Sequence, residues 1–352
     1  MSAPVDSPTY GRGRPFTKFL QRHCLWLLVG CYALAALLPA PGRAMRSLEW
    51  SVPFATQSVV TFPLLLLALL LLCAALQTDM TQIRAAAERP WVLVAGLLAV
   101  WLGPALLVLP AAVLLPALVD RSDAIELLVG LLLVASMPVA NSSVGWTQAA
   151  RGNLALGLAL VLVSIFLCPW VTPHLLATFH FSLSTVDGAH LQLLMDKFSG
   201  SFFIVWVIVP TAAGLACRYL CGPQRVAAAT NWIAATSVAA LLLLNYVNAA
   251  LALPDVLEQS QPTVLLATAL LATALAAIGL VAGWLIARWL DVAPDQRAAL
   301  LFGLSMKHTG LALLLAGAVL PELRLAILVI VLATLAQHLL AGIVEWRLQG
   351  AK

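Results

Sequence analysis

The chain has 352 residues, of which 62% are hydrophobic and 10% are charged, and its formal net charge is +4. A single soluble core cannot bury this much apolar surface, so the composition excludes an ordinary soluble globular protein and indicates that many side chains face lipid. The basic residues are spread through short connectors and do not form one patch, which argues against nucleic-acid binding.

Apolar windows of about 20 residues, long enough to cross a hydrocarbon core about 30 Å thick, recur along the whole chain. We therefore predict an all-α membrane protein with ten transmembrane helices. Residues 1–22 form a basic cytoplasmic tail, and the apolar segment that follows is interpreted as a retained helix and not as a cleaved signal peptide. The predicted spans are 23–40, 55–77, 90–116, 124–149, 153–178, 199–220, 227–252, 263–288, 297–319 and 323–346.

Ten spans divide evenly into two repeats of five helices with opposite orientations, an arrangement that many secondary carriers use for alternating access. The first repeat covers 23–178 and the second covers 199–348. Between them, the segment 179–198 is long enough to hold a short interfacial helix and is predicted to be a periplasmic connector.

The distribution of Lys and Arg predicts the orientation, because cytoplasmic loops carry an excess of both. Thirteen of the nineteen cations lie on the side of the two termini, five lie on the opposite side, and Lys307 lies inside the ninth span. This bias predicts a multi-pass protein of the inner membrane with both termini in the cytoplasm.

The fourth and ninth spans each interrupt an apolar run with small and polar residues, at 136–143 and 305–310. Each is the fourth span of its repeat, and paired broken helices at corresponding positions indicate a site at the middle of the membrane. We assign Pro138 and Gly310 as the helix breaks. For Pro138 the alternative is an ordinary proline kink, with nearby hydroxyl groups bonded back to the helix.

Lys307 is the sharpest feature, because an ammonium group inside a membrane is costly unless it is paired, neutralised or solvated. No Asp or Glu lies in the middle of a predicted span to pair with it. Lys307 either snorkels to an interface, or it faces a central cavity, where it meets an anionic substrate or exchanges a proton during transport. We assign it the coupling role, with protons as possible partners.

Polar side chains near the two breaks are the candidate substrate contacts, because polar groups inside membranes line cavities or bond neighbouring helices. His308 follows Lys307 directly, and Gln337 and His338 form a further polar pair in the tenth span. The predicted substrate-binding residues are Asn141, Ser142, Ser143, Thr147, His308, Thr309 and His338.

Sequence patterns typical of enzymes are absent: there is no phosphate-binding loop, no HExxH helix, no GxSxG turn and no pair of carboxylates with acid–base spacing. The six cysteines include no CxxC pair. We therefore expect neither an enzyme nor a bound metal or cofactor.

The fourth and fifth spans resemble the bile acid/sodium symporter family, especially its bacterial members. The chain carries Pro138, Ser143 and Thr147, then Ala-Arg-Gly-Asn at 150–153 and Thr-Pro at 172–173. In the ninth span, 306–311 is similar to the family's Met-Gln-Asn-(Ser/Thr)-Gly-Leu. The resemblance implies a ten-helix fold with a panel and a core, broken fourth and ninth helices that cross at the midplane, and an organic anion as cargo.

The resemblance also implies that the sodium sites are degenerate here. Only Ser143 keeps an oxygen ligand unchanged. The family's Ser-Asn becomes Ser143 and Val144, its Ser and Thr of the fifth helix fall at Gly157 and Val161, its Glu of the ninth helix falls at Gly303, and its Gln falls at Lys307.

These patterns favour a secondary transporter of a small carboxylate or similar organic anion that works without sodium, with the Lys307 ammonium in place of a sodium ion. The alternatives are a sodium-dependent anion symporter with a rearranged ion site, or a transport-inactive membrane sensor of the same fold. An efflux carrier for cations or metalloids is disfavoured, because Lys307 would repel a cation.

Overall fold

The computed structural model describes residues 15–51, 59–78, 90–182, 188–259 and 261–350. Residues 1–14 of the predicted tail lie outside the described residues. So do five of the basic residues that determine the predicted orientation: Arg12, Arg14, Arg84, Arg89 and Lys352.

The described chain is mostly helical. In chain order the helices of its first part are α1 (Pro15–Leu37), α2 (Pro39–Arg46), α3 (Phe62–Leu76), α4 (Pro90–Leu118), α5 (Arg121–Ser136), α6 (Ser142–Ala149), α7 (Leu154–Ser182) and α8 (Gly188–Ser199). The remaining helices are α9 (Ser201–Cys221, with a π-helical turn at Ile204–Ile208), α10 (Pro223–Gln259), α11 (Pro262–Trp289), α12 (Pro294–Ser305), α13 (Thr309–Val319) and α14 (Arg324–Gly350).

Six helices of the described chain, namely α4, α7, α9, α10, α11 and α14, are long and apolar enough to cross a membrane. Counting the bent pair α1 and α2, whose axes differ by 91°, as a further span raises the number to seven. All ten predicted segments contain helical residues. The protein is therefore a helical, multi-pass membrane protein, and the ten-span inverted repeat stays a prediction.

Two details differ from the sequence-based expectation. Strands β1 (Glu49–Ser51) and β2 (Val59–Thr61) pair in antiparallel fashion and add a short two-stranded sheet to the all-α fold. Three-residue strands are too short to show the alternation that identifies a strand in a sequence. In addition, α1 begins at Pro15, which places the end of the predicted tail within a helix. The connector 179–198 does contain a helix, α8.

The helices pack in two groups. Helix α10 packs against α1 and α3, and α3 also packs against α9. Helix α11 packs against α12, α14 and α4, and α14 packs against α5. Contacts of α10 with α13 and α14 join the groups, next to the two interrupted segments.

Candidate functional site

The fourth segment is interrupted between α5 and α6. Helix α5 ends at Ser136, and Met137 takes an extended conformation with φ −70° and ψ 150°. Such a conformation is expected before a proline, because the ring of Pro138 clashes with a helical residue ahead of it and Pro138 has no N–H to donate. The helix resumes at Ser142. The interruption of this segment therefore includes Pro138.

The ninth segment is interrupted between α12 and α13. Met306 is extended, with φ −110° and ψ 112°, and His308 is the N-cap of α13, where its Nδ1 accepts a hydrogen bond from the Leu311 N–H at 3.2 Å. Gly310, which the sequence assigned as the break, lies instead in the first turn of α13. That assignment is wrong because 306–308 leave the helix to pair with the other interrupted segment.

The two breaks cross and supply each other's backbone partners. Val139 and Lys307 form an isolated antiparallel bridge. The His308 N–H donates to the Pro138 carbonyl at 2.9 Å, and the Ala140 N–H donates to the Met306 carbonyl at 2.9 Å. Buried backbone groups need such partners. Each break therefore stabilises the other.

Lys307 projects from this crossing into a cage of main-chain oxygens. Its side chain is 3% exposed. The ammonium nitrogen donates to the carbonyls of Ala135 at 3.1 Å and Met137 at 3.0 Å, and to the carbonyl of Val100 on α4. An ammonium has three donors, so all three are used. The carbonyl end of α5 also carries the negative end of the helix dipole, which favours a cation.

This geometry differs from the cavity-facing ammonium considered from the sequence. No ion pair found among the described residues involves Lys307, and its donors point at carbonyl oxygens and not at an open space. The sequence could not indicate this because the acceptors are main-chain atoms, which any residue type carries. Carbonyl oxygens are hard ligands that alkali and alkaline-earth cations also use, and these three would make up part of such a cation's shell.

Gln337 on α14 holds the backbone of the ninth break. Its Oε1 accepts from the Lys307 N–H at 3.0 Å, and its Nε2 donates to the Thr309 hydroxyl at 3.5 Å. Gln337 was noticed in the sequence only as the neighbour of His338, and it was not among the predicted site residues. Its only sequence signal is a polar side chain in an apolar helix.

Gly303, Gly157 and Val161 are the other positions that the resemblance aligns with sodium ligands, and none of their side chains carries an oxygen atom. A Cβ atom added to Gly303 would lie 2.8 Å from Cδ1 of Leu160, so a longer side chain there requires the Leu160 side chain to move. A Cβ atom on Gly157 would approach the Thr147 side chain at 3.5 Å. Val161 is buried. This region therefore offers few oxygen atoms to a cation.

Three buried polar atoms near α6 have no hydrogen-bond partner among the described residues: Asn141 Nδ2, Ser143 Oγ and His338 Nε2. The other ring nitrogen of His338 lies 2.8 Å from the Thr334 carbonyl, so Nδ1 carries the proton in that bond. Buried polar atoms are normally paired. These three atoms are therefore candidates for contact with a bound molecule.

Trp146 connects this group to the neighbouring helices. Its ring stacks with Phe302 of α12 at a centroid distance of 6.3 Å and meets the His338 ring edge-on at 6.5 Å. Trp146 was not among the predicted site residues, because one tryptophan in an apolar segment has no distinctive signal.

The remaining predicted site residues lie either at the crossing of the two breaks or on α6. His308 and Thr309 lie at the crossing itself. Ser142 begins α6 and is half-buried. The Thr147 hydroxyl donates to the Ser143 carbonyl at 2.8 Å within α6, so it is already paired.

Comparison with known proteins agrees with the resemblance seen in the sequence. Residues 64–259, more than half of the chain, match the model of the sodium bile acid symporter family. The chain is also 26% identical over 126 residues to "Uncharacterized protein YbaS" of Bacillus subtilis (strain 168), a match that covers 36% of this chain and 38% of that protein. The alignment therefore spans well under half of that relative's length. The interrupted segment with Pro138 lies within the family match, and the chain belongs to the sodium bile acid symporter family.

Proposed function

We propose that this membrane transporter carries a small organic anion of the carboxylate type by alternating access, without sodium coupling, and that the Lys307 ammonium stands in for a sodium ion. The observation that carries the proposal is the cage of Val100, Ala135 and Met137 carbonyls around the Lys307 ammonium. A tethered cation in this cage neutralises the carbonyl end of α5 as a bound ion would.

The polar atoms near the crossing support an anionic cargo. Helices α6 and α13 both begin there, and the N-terminal ends of half-helices attract negative groups in carriers of this kind. The unpartnered Asn141 Nδ2 and Ser143 Oγ are donors for a carboxylate. His308 and Thr309 complete the proposed binding site, with Ser142 and Thr147 at its edge. His338 also belongs to it, where its Nε2 accepts a hydrogen bond from the cargo because Nδ1 carries the proton.

The absence of oxygen-bearing side chains at Gly157, Val161 and Gly303 supports the absence of sodium coupling. With Leu160 against Gly303 and with Val161 buried, these positions lack side-chain oxygens for a sodium ion. Coupling is then either to protons or absent. We further propose ten spans with both termini in the cytoplasm, from the distribution of cations. The resemblance to bacterial members of the family is the ground for proposing a bacterial inner membrane.

Two other functions each rest on one observation. The unpartnered, buried Ser143 Oγ favours a sodium-dependent anion symporter with a rearranged ion site. The lost ligand side chains favour a transport-inactive sensor of the same fold. An ammonium group in an apolar segment is energetically costly, which argues against a protein that has merely lost its transport site.

Thermal stabilisation by a panel of small organic anions distinguishes these functions, because a ligand that binds only the folded state raises the apparent melting temperature. We expect at least one carboxylate to stabilise the protein equally in sodium and choline salts, and Lys307→Met to abolish the effect. Lys197→Met is the matched control, since Lys197 lies over the Phe202 ring away from the crossing.

Each other result has a definite meaning. Stabilisation by no anion would favour the sensor, and stabilisation only in sodium salts would favour the sodium symporter. Uptake of the stabilising anion into proteoliposomes then tests coupling. A steep sodium dependence with no response to a pH gradient would contradict the proposal.

A further inference from the structure

Pro104 interrupts the hydrogen bonds of α4 beside the Lys307 cage. In an α-helix the carbonyl of residue i accepts from the N–H of residue i+4. The partner of the Val100 carbonyl would be residue 104, which is a proline and has no N–H. The Val100 carbonyl instead accepts from the Lys307 ammonium. The Lys307 ammonium thus replaces the helical donor that Pro104 cannot provide.

The other two carbonyl oxygens of the cage lack helical donors for a different reason. Ala135 and Met137 lie at the end of α5, where Pro138 stops the helix. Two prolines on two helices thus release the three acceptors that match the three donors of one ammonium. A hydrogen bond of 3.1 Å from the Trp101 side chain to the Ser136 carbonyl holds α4 against the end of α5.

The other prolines of α4 lie in different surroundings. Pro104 is buried, whereas Pro110 and Pro116 are exposed. Residue 106, which precedes Pro110 by one turn, is an exposed leucine. The buried proline is the one that lies four residues after Val100, whose carbonyl accepts from the ammonium. If Pro104 served only to bend α4, it would not need to lie four residues after the carbonyl that accepts from Lys307.

We propose that Pro104 is a positioning residue for Lys307: by lacking an N–H it keeps the Val100 carbonyl free to receive the ammonium group. This inference rests on the role proposed for Lys307 in the transporter. Its test measures folding stability and not transport, so it can fail while the proposed function stands, and the reverse also holds.

The test is a double-mutant cycle of Pro104→Ala and Lys307→Met in the full chain, with apparent melting temperatures measured in detergent. Lys307→Met leaves three buried carbonyls without a donor and should melt earlier. Adding Pro104→Ala supplies an N–H to the Val100 carbonyl, so it should raise the melting temperature of Lys307→Met by on the order of 2–4 °C. In the wild-type background the same change should give no gain or a loss, because the new N–H competes with Lys307.

Pro110→Ala is the matched control and should have the same effect in both backgrounds. If Lys307→Met does not fold, the cycle is repeated with Lys307→Gln. Restoration of folding to Lys307→Met by Pro104→Ala would also support the inference. An equal effect of Pro104→Ala in both backgrounds, or the same coupling at Pro110, would overturn it.

Discussion

The chemistry of the Lys307 ammonium matches the place that it occupies. Transfer of a cation into an apolar interior costs several kcal/mol, and this cost is offset only when every donor meets a good acceptor. Here three main-chain oxygens provide those acceptors. These oxygens lie where α4 and α5 lack helical N–H donors. The ammonium therefore provides hydrogen bonds to the carbonyls, and the carbonyls provide acceptors for the ammonium.

The Gln337 side chain accepts a hydrogen bond from the backbone N–H of Lys307, and we predict that this contact stabilises the protein. Gln337→Leu removes the acceptor of the Lys307 N–H, and a buried donor without a partner costs about 1–3 kcal/mol. We expect a lower apparent melting temperature in detergent. Gln148→Leu, at an exposed position, serves as the control and should change little. Equal melting of the two variants would show that the Gln337 contact contributes nothing.

The sequence indicated which residues lie at the crossing, but it did not indicate which atoms they contact. Pro138, Lys307 and His308 were identifiable because polar residues interrupt long apolar runs. The partners of Lys307 were not identifiable, since Val100, Ala135 and Met137 contribute only carbonyl oxygens. Gly310 was misassigned because glycine is compatible with both a break and the first turn of a helix.

At the scale of whole elements, glycines set the distance between α11 and α12. Gly279 and Gly283 are one turn apart on α11. A Cβ atom on Gly279 would lie 2.6 Å from the Ser305 Cα, and one on Gly283 would lie 2.7 Å from the Leu300 carbonyl oxygen. Small residues at this spacing let membrane helices approach closely. They hold α12, and with it the start of the ninth break, against α11.

Gly279→Ala should therefore push α12 away and destabilise the protein, because the nearby atoms belong to the backbone and cannot rotate aside. Gly30→Ala in α1 is the control. No atom lies within 4 Å of its added Cβ, and alanine is favoured over glycine in a helix by about 1 kcal/mol. We expect a lower melting temperature for the first variant and an unchanged or higher one for the second. The reverse order would contradict this account of the packing.

The broken helices were predictable at this scale, and the hairpin was not. An apolar run interrupted by proline and hydroxyl residues has a clear pattern, whereas strands as short as Glu49–Ser51 show no periodicity. Pairing of the breaks through Val139 and Lys307 joins residues that lie far apart in the sequence. Only the resemblance to the family indicated that the two segments cross.

At the scale of the whole molecule, the charge distribution predicts the orientation in the membrane. With both termini in the cytoplasm, a fluorescent protein fused to the C-terminus should fluoresce, and alkaline phosphatase at the same place should be inactive. Phosphatase fused within the connector 179–198 should be active, because that segment is predicted to be periplasmic. An active C-terminal phosphatase would contradict the orientation.

The most direct test of the central claim is the effect of sodium on stability. The apparent melting temperature of the wild-type protein is compared in sodium chloride and in choline chloride at equal ionic strength, together with Lys307→Gln, which restores the residue of the family pattern. If the Lys307 ammonium occupies the place of sodium, the wild-type protein melts at the same temperature in both salts, and only Lys307→Gln is stabilised by sodium. Sodium-dependent stabilisation of the wild-type protein would contradict the account.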